Sequence, residues 1–341
     1  MRAFGADPPC EGNVSSMIDA FKWWRGLLLA FALLGLTGVL LPLPFANEVV
    51  IFSIYAMGCN FLLGRVGFIS FGQPAYLAAG AYGTAFYLFY FGTNPYVGIL
   101  VGIAAGIGVS CAVGPLFVRL RSDYFALVNL ALAVIIYYLM QKVLAGITHG
   151  DNGLWFLTQI DATPVLDLTR PDEFFVFALL TAFAIWAFYK YLDDSLFGAC
   201  CLAAKVNEDK LRFLGYSNFK VRLLAFVIAN TTTALAGALY AVYLGFVGPE
   251  MTSPARAADP IIVIILGGVG TLYGPIVGAI AYTGMKDLIS KAIGNWELLI
   301  GVLVVAIMLA GERGIIGSIE SLWKLAAPAR WAAAREGSPM R

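Results

Sequence analysis

The stretch PIIVIILGGVGTLYGPIVGAIAYTGM, residues 260–285, decides how this chain folds. It is apolar and long enough to cross the hydrocarbon core of a bilayer, which takes roughly 17–25 residues as a helix. It is also interrupted, by Gly267-Gly268-Val269-Gly270-Thr271 and by Gly274-Pro275, where glycine and proline weaken helix continuity. Broken backbone at membrane depth survives only where protein buries it or where it lines a cavity. The stretch therefore predicts a discontinuous or re-entrant helix inside a membrane protein.

The rest of the chain agrees with a lipid solvent. Of its 341 residues, 60% are hydrophobic and only 13% charged, whereas soluble domains carry about a quarter charged residues. In lipid every backbone amide must be satisfied within the element, which leaves helices or closed barrels. Long continuous apolar runs, rather than ten-residue segments of alternating polarity, select helices. The runs fall near residues 27–41, 47–63, 74–91, 95–118, 124–146, 174–191, 222–247, 260–285 and 295–311. This predicts an all-α bundle of about 8–10 spans. The first 24 residues lack a signal-peptide pattern, so 27–41 reads as a retained first span.

Orientation follows from the basic residues, which collect on the cytoplasmic side. Alternation starting inside leaves only five of the 22 Lys and Arg residues outside: Lys142, Arg170, Arg256, Lys286 and Lys291. It puts the basic loop around Lys205–Lys220 in the cytoplasm, and the acidic loop with Asp151, Asp161, Asp167, Asp172 and Glu173 outside. If 260–285 crossed fully, the basic tail with Arg313, Lys324, Arg330, Arg335 and Arg341 would end outside. Both termini are expected in the cytoplasm, so parity again requires 260–285 to return or to count as two short elements. The Ala-rich tail 326–334 reads as an interfacial helix anchored by Trp323 and Trp331, or as disorder.

Several classes of chemistry find no support. There is no G-x-x-x-x-G-K-[ST] phosphate loop, no G-x-S-x-G elbow and no H-E-x-x-H pair. The five cysteines (Cys10, Cys59, Cys111, Cys200, Cys201) have no zinc-like spacing with the single histidine, His149, and read as small buried hydrophobes. Net charge is +1, which gives no reason to expect nucleic acid. The chain is not expected to be an enzyme or to carry a metal or cofactor.

The loop Ser195-Leu-Phe-Gly-Ala-Cys-Cys-Leu-Ala-Ala-Lys-Val-Asn-Glu-Asp-Lys-Leu-Arg-Phe-Leu-Gly215 reads as a short helix between Ala199 and Leu214, ended by Gly215. Its charged positions and Leu211 and Leu214 suit docking to a partner, although an ordinary charged loop fits as well. Ser195, Phe197, Gly198, Ala203, Glu208, Leu214, Gly215 and Leu223-Leu224-Ala225-Phe226 resemble, in register, the coupling-helix region of permeases in the branched-chain amino-acid ABC importer family, its LivM-like branch. The segment from Asn60 through Gly64, Gly67, Ser70 and Gly72 to Ala75 is similar to that family's N-L-L-L-G-x-x-G-x-x-S-x-G-x-x-A string. So are Arg119–Ala126, Thr148–Leu154, Ala236–Tyr240 and Gly267–Ala279, in family order. The chain departs from the pattern at Ala199, Leu202, Lys210, Leu211, Gln73 and His149.

The resemblance implies a permease subunit in the inner (plasma) membrane. Residues 1–24 would be a cytoplasmic segment, 25–311 the transmembrane permease domain with a coupling loop at 193–221, and 312–341 a cytoplasmic tail. Its partners would be a second homologous permease subunit, two ABC ATPase subunits holding ATP and Mg, an extracytoplasmic substrate-binding protein and membrane lipid. It would import amino acids, branched-chain ones foremost, by alternating access; relatives for urea, short amides or aromatic and carboxylic acids share the motifs. By resemblance Ala203, Ala204, Glu208, Leu214 and Gly215 couple to the ATPase. Asn60, Gln73, Gly267, Gly268, Gly270 and Gly274 are candidates for the translocation path or broken helix, with close helix packing as the plainer reading of the glycines. Asn129 and Asn230 join Asn60 and Gln73 as polar groups in apolar spans. An ion-coupled secondary transporter would need buried carboxylates, which the apolar runs almost lack, and an intramembrane enzyme would need a polar catalytic cluster.

Overall fold

A computed structural model describes residues 32–38, 42–120, 122–161, 166–292 and 301–302. The segment 1–24, the run 295–311 apart from 301–302, and the tail with Trp323 and Trp331 lie outside the described residues. The fold is a helical bundle. Its main helices are α1 Leu43–Phe61, α2 Gln73–Phe86, α3 Pro95–Phe117, α4 Ser122–Tyr138, α5 Pro171–Asp194, α6 Leu196–Val206, α7 Glu208–Phe213, α8 Asn218–Leu244, α9 Asp259–Gly267 and α10 Gly274–Ala292. Proline stands in the first turn of α1, α2, α3, α5 and α9. There its fixed φ suits a helix start and its missing N–H removes no bond. π-helical turns extend α1 to Val66, α2 to Phe91 and α4 to Val143.

Among the described residues, five helices are long and apolar enough to cross a membrane: 43–66, 95–117, 124–143, 171–194 and 218–244. α1 is the central post, buried along nearly its whole length. α3 and α4 are peripheral, with Leu100, Ile107, Leu116, Leu127 and Ile135 facing outward, as lipid-covered helices do. Cys111 also points outward from α3, against the expectation that it is buried, because it shares the lipid-facing side of that helix. Cys59, Cys200 and Cys201 are buried.

The α2–α8 contact shows why glycine and alanine are frequent. A Cβ on Gly80 would sit 1.9 Å from the Ala234 carbonyl oxygen, and one on Gly237 would sit 1.9 Å from that of Leu77. Only small residues allow two backbones to approach so closely, and in lipid such packing replaces the hydrophobic effect as the cohesive force.

The stretch 260–285 does not cross the bundle. α9 runs down beside α1, the chain reverses over residues 268–273, and α10 runs back. The antiparallel register is tight: Gly267 lies on Gly274, and Gly278 lies on Val263. At the head of the hairpin Lys286 donates to Glu48 at 2.8 Å, and at its tip Gly270 lies on Gly64. The stretch is thus a helical hairpin of two elements, the discontinuous form that its glycines and proline predict.

The loop between α5 and α8 also differs from expectation. Instead of one helix over 199–214 there are two, α6 and α7, broken at Asn207 in extended conformation (φ −158°, ψ 102°). Gly215, at φ +82°, ends α7 as anticipated. Its amide donates to the Arg212 carbonyl and the Tyr216 amide donates to that of Leu211, a Schellman cap. At the opposite end of the bundle, Leu154–Trp155 and Phe246–Val247 form a two-residue antiparallel ladder.

The hairpin register generates a prediction. Gly278→Ala drives a methyl into the Val263 carbonyl and should destabilise the protein by about 1–3 kcal/mol, as overpacking does. Gly284→Ala, whose Cβ would meet only Phe45 at 3.8 Å, should be neutral. Thermal unfolding of the two variants in detergent checks this.

Candidate functional site

The end of the bundle that carries α6 and α7 brings together three helix ends and the hairpin tip. Asn60, in the last turn of α1, closes on the tip with both halves of its carboxamide. Its Oδ1 accepts from the Gly270 amide at 2.8 Å, and its Nδ2 donates to the Thr271 carbonyl at 2.9 Å. The tip is also self-capped: Thr271 Oγ1 donates to the Gly268 carbonyl at 2.9 Å and accepts from the Gly274 amide at 3.0 Å. Unwound backbone that would otherwise be orphaned at membrane depth is thus satisfied. Gly270 takes φ +76°, and a Cβ on Gly64 would lie 2.6 Å from its Cα, so glycine is required on both sides of this contact. A cavity next to the tip is lined by Asn60, Arg65, Trp186, Tyr189, Asp193 and Gly270.

Arg65 in the π-helical turn donates to Asp193 at the end of α5, at 2.6 Å. Lys205, near the end of α6, reaches back to α1 and donates to the Gly64 carbonyl at 2.9 Å and the Leu63 carbonyl at 3.4 Å. A cation there complements the negative end of the α1 dipole. The α6–α7 unit is thus bolted to the foot of α1, the same turn that holds the hairpin tip.

The rest of the loop is braced internally. Glu208 accepts from Asn218 at 2.7 Å and pairs with Arg222 at the start of α8. The Arg222 guanidinium lies 4.9 Å from the centre of the Phe68 ring, which stacks on Phe125 at 4.4 Å. Ala204, Cys200 and Leu211 form a small buried cluster with Ala203 at its edge. Burial pushes the Cys201 thiol up to about 12. Leu196, Leu202, Val206, Phe213 and Leu214 are all exposed, Phe213 to 89%, beside the exposed charges of Lys205, Asp209 and Arg212.

The residues singled out from the sequence divide accordingly. Asn60, Gly267, Gly268, Gly270 and Gly274 meet in one place, the hairpin and its clasp. Gln73 does not join them; it is fully buried between α2 and α8, where its Oε1 accepts from Thr233 at 2.7 Å. Asn129 accepts from Tyr76 at 3.1 Å, and Asn230 is buried nearby without a partner among the described residues. Of the five loop residues, Leu214 presents an exposed side chain, Glu208 is held in an ion pair, Gly215 turns the chain, and Ala203 and Ala204 face inward. Sequence reading missed Lys205, Arg65 and Asp193 as a unit, because their pairing spans three distant segments. His149 sits exposed at φ +59° in its turn, a left-handed conformation rare outside glycine.

The sequence comparisons fit this geometry. Residues 41–310 match the family described as branched-chain amino acid transport system / permease component. The chain belongs to that permease family. It is 28% identical over 301 residues to the high-affinity branched-chain amino acid transport system permease protein LivM of Salmonella typhimurium, covering 80% of this chain and 69% of that protein. It is 25% identical over 304 residues to a probable LivM permease of Methanocaldococcus jannaschii, covering 84% and 85%. A shorter match, 28% over 134 residues, links it to the autoinducer 2 import system permease LsrC of Yersinia enterocolitica, covering 38% of this chain and 36% of that one. No solved structure matches. A member of this permease family is a transport subunit, not an enzyme, and the five apolar helices make it a multi-pass membrane protein.

Two predictions follow from the clasp and the loop. Asn60→Ala strands the Gly270 amide and the Thr271 carbonyl and should cost about 2–4 kcal/mol, read as earlier thermal unfolding of the purified permease. The raised Cys201 pKa leaves essentially no thiolate at pH 8, and the thiolate is the nucleophile. Iodoacetamide at pH 8 should therefore leave Cys201 unmodified in the folded permease and alkylate it after denaturation, as peptide mass spectrometry would show.

Proposed function

We propose that this chain is one permease subunit of an ATP-driven ABC importer for amino acids, branched-chain ones foremost. The observation that carries this is the exposed apolar edge of the α6–α7 unit, formed by Leu196, Leu202, Val206, Phe213 and Leu214 on a basic loop outside the apolar spans. Large apolar side chains exposed on a loop braced by the Lys205 and Glu208 contacts suit a protein partner. The positive-inside bias of the same loop supports a cytoplasmic location and hence an ATPase as that partner. The names of the relatives support the substrate class and, for LsrC, the import direction.

In this reading a second permease subunit completes the pore, two ATPase subunits close on the α6–α7 edges, and a binding protein delivers substrate at the opposite end. ATP and Mg belong to the ATPase subunits. When the ATPases close, the α6–α7 unit moves, and Lys205 and Asp193 transmit that movement to the foot of α1 and the hairpin tip. Each ligand drives the cycle only by binding the two states with different affinity.

Transport by the reconstituted complex tests this. Phe213→Asp with Leu214→Asp should abolish ATPase co-purification or reduce substrate uptake at least tenfold, because each aspartate must be desolvated at the interface. Replacing the catalytic glutamate of the ATPase should stop uptake. Continued accumulation of substrate with that ATPase variant would overturn the proposal.

A further inference from the structure

The end of the bundle away from α6–α7 holds a cation and an anion, Arg256 and Asp259, in the lining of one cavity. After α8 the chain passes through Phe246–Val247 and then folds back over the bundle as two short 3₁₀ segments, Pro249–Thr252 and Pro254–Ala258, before α9 begins. This places Arg256 and Asp259 against α1, α2 and α8, around a cavity walled by Ile51, Phe52 and Leu77. Arg256 stands beside Tyr240, and Asp259 beside Tyr282 of the hairpin, near enough for each pair to interact. The Tyr55 side chain, 4% exposed, lines the same cavity, and its hydroxyl has no hydrogen-bond partner. Tyr240 also lines a wider cleft of about 400 Å³ with Glu48 and Lys286 on its far side.

Charged groups among membrane-depth helices are costly and mark ligand paths more often than they stabilise a fold. Here a cation and an anion line one cavity with a tyrosine hydroxyl that has no hydrogen-bond partner, and three apolar side chains complete the wall. We infer that this cavity is a transport-path binding site for an α-amino acid zwitterion, with Arg256 and Tyr55 taking the carboxylate, Asp259 the ammonium group, and Ile51, Phe52 and Leu77 an aliphatic side chain. The inference deepens the importer reading and rests on it. It gives the permease its own selection by charge pattern, separate from that of a binding protein. In the present conformation the cavity holds about one water molecule, so it is closed, and an amino acid enters only when the 249–258 segment lifts. That movement supplies the difference between states that coupling needs, since Asp259 and Tyr282 belong to the two arms of the hairpin whose tip Asn60 holds.

The test uses the complete complex, with both permease subunits and the ATPases, in lipid nanodiscs without binding protein. Equilibrium binding is measured with leucine, leucinamide, which lacks the carboxylate, and 4-methylpentanoate, which lacks the ammonium group. The expected result is leucine binding at least tenfold tighter than either analogue. Arg256→Gln should abolish the preference over leucinamide only, and Asp259→Asn the preference over 4-methylpentanoate only. Tyr55→Phe and Arg256→Lys, which keep the size and charge of the site, should weaken leucine several-fold while the complex stays assembled; they carry the test should the charge-removing variants not assemble. Equal binding of the three compounds to the wild type, or variants that weaken all three alike, would overturn the inference. ATP hydrolysis stimulated by loaded binding protein is followed on the same preparations. Its absence in the wild type overturns the importer reading and the inference together, whereas its presence alongside indiscriminate binding overturns the inference alone.

Discussion

The clasp between Asn60 and the hairpin tip is the contact on which the remaining architecture depends. A chain that reverses inside the bundle leaves amide and carbonyl groups without helical partners, and lipid offers none. One carboxamide, in the last turn of α1, satisfies a donor and an acceptor in adjacent residues, Gly270 and Thr271. For that reach to work the backbones of α1 and the tip must touch, which is why Gly64 and Gly270 face each other. It also requires α1 to be surrounded by protein. Its burial from Ala46 to Phe61 is thus a consequence of the hairpin as much as of its own hydrophobicity.

Two kinds of interface result. The α2–α8 contact is dry, made of carbonyls lying on glycines at near-minimal separation, and sliding it would forfeit packing everywhere at once. The contacts around the foot of α1 are mixed: the Asn60 clasp, the Arg65–Asp193 pair and Lys205 on the Gly64 carbonyl stand beside Phe61 packed on Tyr189. Of these, the part-exposed contacts of Arg65 and Lys205 exchange for water or for other partners at small net cost, whereas the Asn60 clasp does not. The molecule therefore separates into a stiff pair and a set of elements held by replaceable bonds, and the α6–α7 unit belongs to the second set.

The sequence made the hairpin legible because two independent signals coincided, glycine and proline inside an apolar run and the parity of the basic residues. Asn60 was legible for a related reason, since a carboxamide in an apolar span needs a partner. The break at Asn207 was not, because nothing in the local composition separates 196–206 from 208–213; the split is set by tertiary contacts of Lys205 and Glu208 at either side. The outward turn of Cys111 escaped for the opposite reason: α3 is apolar all round, so the pattern does not say which face meets lipid. Arg256 and Asp259 read as members of a short outer loop, and only the fold shows that the loop turns inward.

The two ends of the molecule are joined mechanically through one element. α1, with 19 residues and a rise of about 1.5 Å each, spans about 28 Å before its π-helical turn. Its head carries Glu48, paired with Lys286 of the hairpin, and one and two turns deeper Phe52 and Tyr55 wall the charged cavity. Its foot carries Asn60 and the carbonyls that Lys205 holds. The hairpin is fixed to the same post at both levels, so its arms cannot shift against the cavity without straining the clasp, nor the clasp yield without moving Tyr282 and Asp259. A helix is stiff along its axis, whereas the short 3₁₀ segments above the cavity are not bound by a continuous ladder. In the importer reading, displacement applied at α6 would be absorbed where the backbone is least regular, over the cavity.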